Sequence, residues 1–153
     1  TRAPDAAGLV NLVDANVLLY AVNSDAPHHE RARRWLDEAL SGADTVAFAW
    51  IALLAFVRLS TRPDIFPNPL TLEDAMDQVD AWIAAQGAVV LEPTPDHGGV
   101  LRRLLAPLAT AGNLVNDAHL AALAVEHNCG IVSFDNDFAR FDGVRWQAPP
   151  TAP

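Results

Sequence analysis

The chain has 153 residues, of which 51% are hydrophobic and 19% are charged, which excludes a disordered segment and favours one compact domain. Its net charge of −9 argues against a protein that coats nucleic acid through a basic surface, although acids concentrated around metal ions remain compatible with it. Residues 45–57, the longest uncharged apolar stretch, are too few to span a bilayer, and a single cysteine, Cys129, excludes an internal disulfide, so we expect a cytoplasmic protein without membrane spans.

Helical and strand-like patterns alternate along the chain. In chain order they predict a strand at 8–14, helices at 15–23 and 27–42, a strand at 45–49, helices at 50–63 and 70–87, a strand at 88–93, helices at 95–109 and 116–128, and strands at 130–135 and 144–146. This alternation is typical of an α/β protein in which helices cover both faces of a mostly parallel sheet.

Several side chains can be placed within these elements. Thr71, three residues before Asp74, resembles a capping box. Leu72 and Met76 fall on the inner stripe of the same helix, and three tryptophans also fall on apolar stripes, which predicts that they belong to the core: Trp35, Trp50 and Trp82. His28 and His29 are expected to be solvated residues in the first turn of their helix.

Acidic residues follow two of the predicted strands. Asp14 ends the first strand, Asp135 ends the strand at 130–135, and Asp137 lies two residues further on, in "DND". Asp117 lies in the first turn of the helix that begins after "AGNLVN". Because the carboxyl ends of parallel strands lie along one edge of the sheet, we expect these carboxylates to meet there.

Clustered carboxylates favour a divalent cation. At about 4 Å, each pair repels by about 4 kcal/mol at an effective dielectric constant of 20, and a cation or protonation relieves that repulsion. Oxygen ligands select hard ions such as Mg²⁺ or Mn²⁺, which activate water and polarise phosphodiesters. The pattern therefore points to metal-assisted hydrolysis of a phosphate ester.

Ordinary structural roles compete with this interpretation. Asp14 could be a helix N-cap, Asp117 could stabilise a helix dipole by about 0.3 to 1 kcal/mol, and the acids of "DND" could serve a turn. His119, two residues after Asp117, is expected to be a surface or helix-packing residue and not a ligand.

Three segments together carry a family resemblance: "LVDANVLLYAV", "NDAHLAALAVEH" and "SFDNDFARF", in that order. The chain resembles the PIN-domain family, specifically the VapC-type ribonuclease toxins of bacterial toxin–antitoxin pairs. The resemblance covers about residues 9–147, which predicts a PIN domain between an N-terminal tail at 1–8 and a C-terminal tail at 148–153.

The resemblance implies a three-layer α/β/α sandwich and Mg²⁺- or Mn²⁺-dependent endoribonuclease activity on structured RNA such as tRNA or rRNA. It also implies a homodimer and inhibition by a cognate VapB-type antitoxin. Carried over residue by residue, the catalytic acids are Asp14, Asp117 and Asp135, with Asp137 as a further metal ligand. Asn16 and Ser133 match positions that support the site by hydrogen bonding.

Many PIN domains carry a glutamate in a pattern like "L-x-E-F-x-R", where this chain has "LLAFVR" with Ala55 at the acidic position. An alternative is therefore a weakly active or inactive PIN-fold module that only binds a partner. A second alternative, a phosphoryl-aspartate enzyme built on "DND", would generally use a lysine, and the ten basic residues here are all arginines. For contacts with RNA phosphates the candidates lie in the two segments that flank the predicted crevice: Arg31, Arg33, Arg34, Arg58 and Arg62. Because Arg31 to Arg34 could equally lie on a solvated helix face, we expect Arg58 and Arg62 to make these contacts.

Overall fold

The computed structural model describes residues 10–42, 44–108, 112 and 114–151. Its centre is a five-stranded sheet in the order β3-β2-β1-β4-β5, and each neighbouring pair of strands is parallel. The strands are β1 (Val10–Val13), β2 (Thr45–Phe48), β3 (Ala88–Val90), β4 (Gly130–Val132) and β5 (Trp146–Gln147).

Six helices connect these strands. They are α1 (Ala15–Val22), α2 (His29–Ser41), α3 (Trp50–Ser60), α4 (Leu72–Ala84), α5 (His97–Leu105) and α6 (Leu114–Glu126). A short 3₁₀ helix, Asn136–Arg140, follows β4. In the described part of the chain, no helix is both long and apolar enough to cross a membrane.

Alternating side chains of the strands feed two hydrophobic cores, one on each face of the sheet. Val13, Val46 and Val132 pack on one face with residues of α1 to α4. Leu12 and Ile131 pack on the other face with residues of α5, α6 and the 3₁₀ helix. The predicted α/β class and the sandwich of helices around a parallel sheet are therefore confirmed.

The central pair of strands positions the acidic edge. β1 and β4 are neighbours, with Val13 opposite Val132, so residues 14 and 133 leave the sheet side by side. The backbone N–H of Asp14 donates to the carbonyl of Val132 at 3.0 Å, which extends the pairing one residue beyond β1. Segments more than a hundred residues apart in the chain are thereby brought together.

The predicted elements all occur, with shifted ends. β4 ends at Val132 and β3 at Val90, three residues before the predicted ends in both cases, and α6 begins two residues before its predicted start. The predicted strand residues 8 and 9 and helix residue 109 lie outside the described residues, as do most of the proposed tails. The cap of α4 is confirmed, since the Thr71 hydroxyl accepts a hydrogen bond from the Asp74 N–H at 3.0 Å.

Some burial predictions were wrong. Trp50, the first residue of α3, is 42% exposed and is therefore not part of the core. Leu72 and Met76 are 64% and 38% exposed, so the buried stripe of α4 consists of Ala75, Val79 and Trp82. His29 is not solvated, because its Nδ1 lies 2.7 Å from the Tyr20 carbonyl oxygen and its side chain is only 20% exposed.

Candidate metal centre

Asp14 joins β1 to α1 and has two structural contacts. Its extended backbone (φ −80°, ψ 157°) lets its side chain accept a hydrogen bond from the Ala15 N–H at 2.8 Å, so it is the N-cap of α1. Its other carboxylate oxygen accepts a hydrogen bond from the Ser133 hydroxyl at 2.6 Å. The N-cap role and a place in the acidic site are therefore both fulfilled by one side chain.

Ser133 is fully buried and connects β4 to the acidic residues. While its hydroxyl donates to Asp14, its oxygen accepts hydrogen bonds from Asn16 Nδ2 at 3.1 Å and from the Asp135 N–H at 2.9 Å. Asn16 also accepts a hydrogen bond from the Phe134 N–H at 3.2 Å. The two residues expected to support the site thus tie the ends of β1 and β4 to each other.

Three acids lie close enough to share one ion. Oxygens of Asp117, Asp135 and Asp137 all lie within 4.8 Å of one another, and all three side chains are partly buried. Asp117 comes from the first turn of α6, and Asp135 caps the 3₁₀ helix by accepting a hydrogen bond from the Asp137 N–H at 2.9 Å. Asp14 is outside this set of three but lines the same cavity as Asp117.

Burial and mutual repulsion change the acidity of the site. Burial, together with the charges of Asp14, Asp135 and Asp137, raises the pKa of Asp117 to about 6, and burial is the largest of these causes. Burial also raises the pKa of Asp14, although the hydrogen bonds from Ser133 and Ala15 oppose the increase. Both carboxylates are therefore harder to ionise than in water when no cation is present.

A cavity of about 160 Å³ opens beside Asp14 and Asp117. Small side chains form much of its wall, and Ala55 of α3 is one of them. Its lining residues are Asp14, Ala15, Ile51, Ala52, Ala55, Arg58, Asn116, Asp117 and Leu120. Ala55, at the position where the resemblance implies a glutamate, therefore lines the cavity beside Asp14 and Asp117 without adding a carboxylate.

The predicted RNA-binding arginines have different surroundings. Arg58 is exposed and lines the cavity. Arg62 is absent from the lining and forms a two-pronged ion pair with Asp64, with nitrogen to oxygen distances of 3.0 and 2.5 Å. Arg58 is thus the better placed of the two for a group held by the acids.

His119 lies apart from the acidic set, in a packing role between α5 and α6. Its Nδ1 is 2.9 Å from His97 Nε2, and His97 in turn contacts the buried carboxylate of Glu126. The Thr94 N–H and hydroxyl also donate to Glu126, at 2.8 and 2.7 Å. This chain of buried polar groups joins residues 22 to 32 positions apart, and periodicity alone does not reveal it.

Asn116 is a cavity residue that the sequence interpretation missed. The available signal was its position immediately before Asp117 at the start of α6, where side chains project towards the carboxyl edge of the sheet. An amide there offers both a donor and an acceptor to a molecule in the cavity.

The donor set suits a hard divalent cation. Three carboxylates whose oxygens converge, with neighbouring charges that raise the pKa of Asp117, form a site in which a cation would relieve electrostatic repulsion. Carboxylate oxygens are the ligands that Mg²⁺ and Mn²⁺ prefer, whereas sites for softer metals draw on cysteine or histidine. Asp117, Asp135 and Asp137 would hold such an ion.

Comparison with known proteins agrees with the geometry. The sequence profile of the PIN domain matches residues 12–144. The chain is 60% identical to Ribonuclease VapC37 of Mycobacterium tuberculosis over 92% of its own length and 98% of that protein.

Solved structures share the fold at low sequence identity. VapBC2 from Rickettsia felis, bound to a DNA fragment from the promoter, matches with a TM-score of 0.68 at 17% identity, covering 92% of this chain and 98% of that one. The sarcin-ricin loop cleaving toxin VapC20 of M. tuberculosis matches with a TM-score of 0.64 at 19% identity, covering 89% and 98%. The chain belongs to the PIN domain family, among the VapC ribonucleases, as the three sequence motifs implied.

Proposed function

We propose that this protein is an endoribonuclease toxin that hydrolyses phosphodiester bonds of structured RNA, such as tRNA or rRNA, with Mg²⁺ or Mn²⁺ as cofactor. The observation that carries the proposal is the convergence of Asp117, Asp135 and Asp137 within 4.8 Å beside a cavity that Asp14 also lines. The 60% identity to Ribonuclease VapC37 supports the same reaction class.

Some residues of the site would hold an ion, and others fix the positions of the acidic side chains. When bound, a divalent ion supplies electrostatic activation of a phosphodiester and of the attacking water. Asp117, Asp135 and Asp137 would hold the ion, and Asp14, which lines the same cavity as Asp117, adds negative charge near it. Ser133 and Asn16 keep Asp14 and Asp135 in register through their hydrogen bonds.

Cationic and polar groups of the cavity suit the substrate. Arg58 lines the cavity from α3, where it can bind a phosphate oxygen of the RNA backbone. Asn116 can hydrogen bond to a sugar or phosphate next to the reacting group. Arg62 contributes less, because Asp64 already neutralises it.

A protein partner and a second copy of the chain are part of the proposal. Trp50 and Leu54 lie one turn apart on α3 and are 42% and 58% exposed, which provides an apolar surface beside the cavity. The proposed occupants of this region are a second protomer and a cognate VapB-type antitoxin that blocks the site. The VapBC2 structure, which has the same fold, supports the antitoxin, and the proposed RNA substrate supports a cytoplasmic location.

Ala55 supports a second candidate function. Because Ala55 stands where the family resemblance implies a glutamate, α3 contributes no carboxylate to the cavity, and the chain could bind its partner through a PIN fold with little or no turnover. The two candidates differ in one measurable property, the hydrolysis of RNA by purified protein free of antitoxin.

Cleavage assays test the proposed activity. Structured RNA should be cut at defined positions in Mg²⁺ or Mn²⁺ and should stay intact in EDTA, because the acids then lack their cation. Asp135→Asn should lower the rate by about 100-fold or more, since one ligand and its charge are lost. Asp77→Asn, on the exposed side of α4, is the matched control and should cleave normally. If the wild-type chain cuts no RNA at any metal concentration, the binding module becomes the better description.

The raised pKa of Asp117 predicts how stability depends on pH in the absence of metal. The folded pKa of about 6 exceeds the ordinary 3.8, so this group stabilises the fold below about pH 4, and that contribution is lost as pH rises through 6. Asp117→Asn should therefore raise the free energy of unfolding at pH 7.5 by about 1 kcal/mol and change it little at pH 4. Urea denaturation in EDTA measures both values, with Asp77→Asn as the control. Equal effects at the two pH values would contradict the assigned repulsion.

Adding a carboxylate to the cavity wall should strengthen the metal site. Ala55→Glu projects an acid into the space beside Asp14 and Asp117, and we expect Mn²⁺ to bind about tenfold more tightly because it gains a ligand charge. Leu54→Glu adds the same charge at a neighbouring position that is 58% exposed and should leave the affinity nearly unchanged. Calorimetric titration distinguishes them. If both variants bind Mn²⁺ alike, Ala55 does not face the ion.

Two arginines provide a matched test of RNA binding. Arg58→Ala should raise KM about tenfold, because Arg58 lines the cavity and, among the described residues, forms no ion pair like those that neutralise Arg33. Arg33→Ala should have little effect, since Glu30 and Asp37 hold that side chain at 2.9 and 3.3 Å. The difference between the variants should shrink as salt concentration rises. Equal losses would remove Arg58 from the RNA-binding site.

A further inference from the structure

We propose that His28 forms a base-stacking subsite, where the outer face of its ring binds an unpaired nucleobase adjacent to the bond that is cut. This inference rests on the proposed ribonuclease function. The His28 ring lies parallel to that of Phe134, with an angle of 11° between the planes and 5.0 Å between the centroids. His28 is exposed, whereas Phe134 is partly buried against the core.

The ring of His28 rests on a supported platform. The Tyr20 ring lies 5.4 Å from that of Phe134 and 6.5 Å from that of His28, so three rings form one cluster. The guanidinium of Arg31 lies 5.2 Å from the centre of the Phe134 ring. Tyr20 and Phe134 also pack against the buried core, which holds the platform still. A ring held in this way loses little conformational entropy when a base stacks on it.

The platform is continuous with the acidic site. Phe134 lies between Ser133 and Asp135, and its N–H donates to Asn16 at 3.2 Å. Tyr20 is one helical turn after Asn16 on α1, a rise of about 6 Å. The aromatic cluster is therefore next to Asp135 in the chain and one helical turn from Asn16, which hydrogen bonds to Ser133 beside Asp14. A base stacked on His28 would belong to a nucleotide close to the phosphate held at the acids.

Helix capping does not explain the residue at this position. His28 precedes α2 in the left-handed conformation, with φ at 57°, which is uncommon for residues other than glycine, although asparagine, aspartate and histidine are enriched there. Its side chain makes no capping hydrogen bond to the helix. What the side chain does provide is a flat ring at the surface, and stacking on such rings is how proteins hold unpaired RNA bases.

The test combines a protein variant with an RNA variant. His28→Asn removes the ring and keeps a residue that tolerates the left-handed conformation, and His28→Phe keeps a ring. The substrate is a synthetic stem-loop RNA with the mapped cut in its unpaired loop, either intact or with one abasic nucleotide at each of the adjacent positions in turn. His28→Asn should lower kcat/KM on intact RNA about 5- to 100-fold, and His28→Phe should retain most of it. At one position, the abasic RNA should be cut equally by wild type and His28→Asn.

The control and the opposing outcomes are equally specific. His127→Asn changes an exposed histidine after the far end of α6 and should leave kcat/KM unchanged. The inference is overturned if His28→Asn cuts intact RNA like wild type, or if its loss is the same on intact RNA and on every abasic RNA. Quenching of 2-aminopurine, placed at each unpaired position of a stem-loop RNA in turn and followed in Ca²⁺, needs neither cleavage nor a mapped cut. If neither the wild type nor any variant cuts RNA, the proposed function fails. The quenching assay then decides on the subsite alone: quenching by the wild type that is lost in His28→Asn supports it, and equal quenching by the two proteins refutes it.

Discussion

Mutual repulsion among Asp117, Asp135 and Asp137, increased by the nearby charge of Asp14, is the constraint on which the carboxyl edge of the sheet depends. Two unit charges about 4 Å apart repel by about 4 kcal/mol at an effective dielectric constant of 20, more than a single hydrogen bond offsets. Hydrogen bonds offset part of this repulsion. The Ala15 N–H and the Ser133 hydroxyl donate to Asp14, and the Asp137 N–H donates to Asp135. The paired strands β1 and β4 supply the rigidity that these contacts need.

An acidic protein that binds RNA must concentrate its cationic contacts locally. With a net charge of −9, the chain gains little from long-range attraction to a polyanion. Several arginines are neutralised within the chain, as Arg33 is by Glu30 and Asp37 and Arg62 by Asp64. Uncharged contacts then matter more, and an aromatic face such as that of His28 binds a base without needing opposite charge.

The sequence predicted the fold and the meeting of the acids for a physical reason. Strands that are buried on both faces appear in the sequence as apolar runs. Parallel topology then places residues 14 and 135 at the same edge of the sheet, independently of the loop conformations. The exposure of Trp50 was not predictable in this way, since an apolar residue at the first position of a helix has no preceding turn to cover it. The stack of His28 on Phe134 joins residues 106 positions apart through a left-handed turn, and no periodicity records such a contact.

The pairing of β4 with β1 has a consequence for synthesis of the chain. A nascent polypeptide that ends before Gly130 contains Asp14 and Asp117 but lacks the strand that accepts the Asp14 N–H and the serine that orients its carboxylate. Such contacts between distant segments form late, because the loop between them must close first. A ribosome that stalls before β4 therefore releases a fragment without an assembled centre, and RNA hydrolysis becomes possible only after β4 and the segment that follows it have been synthesised.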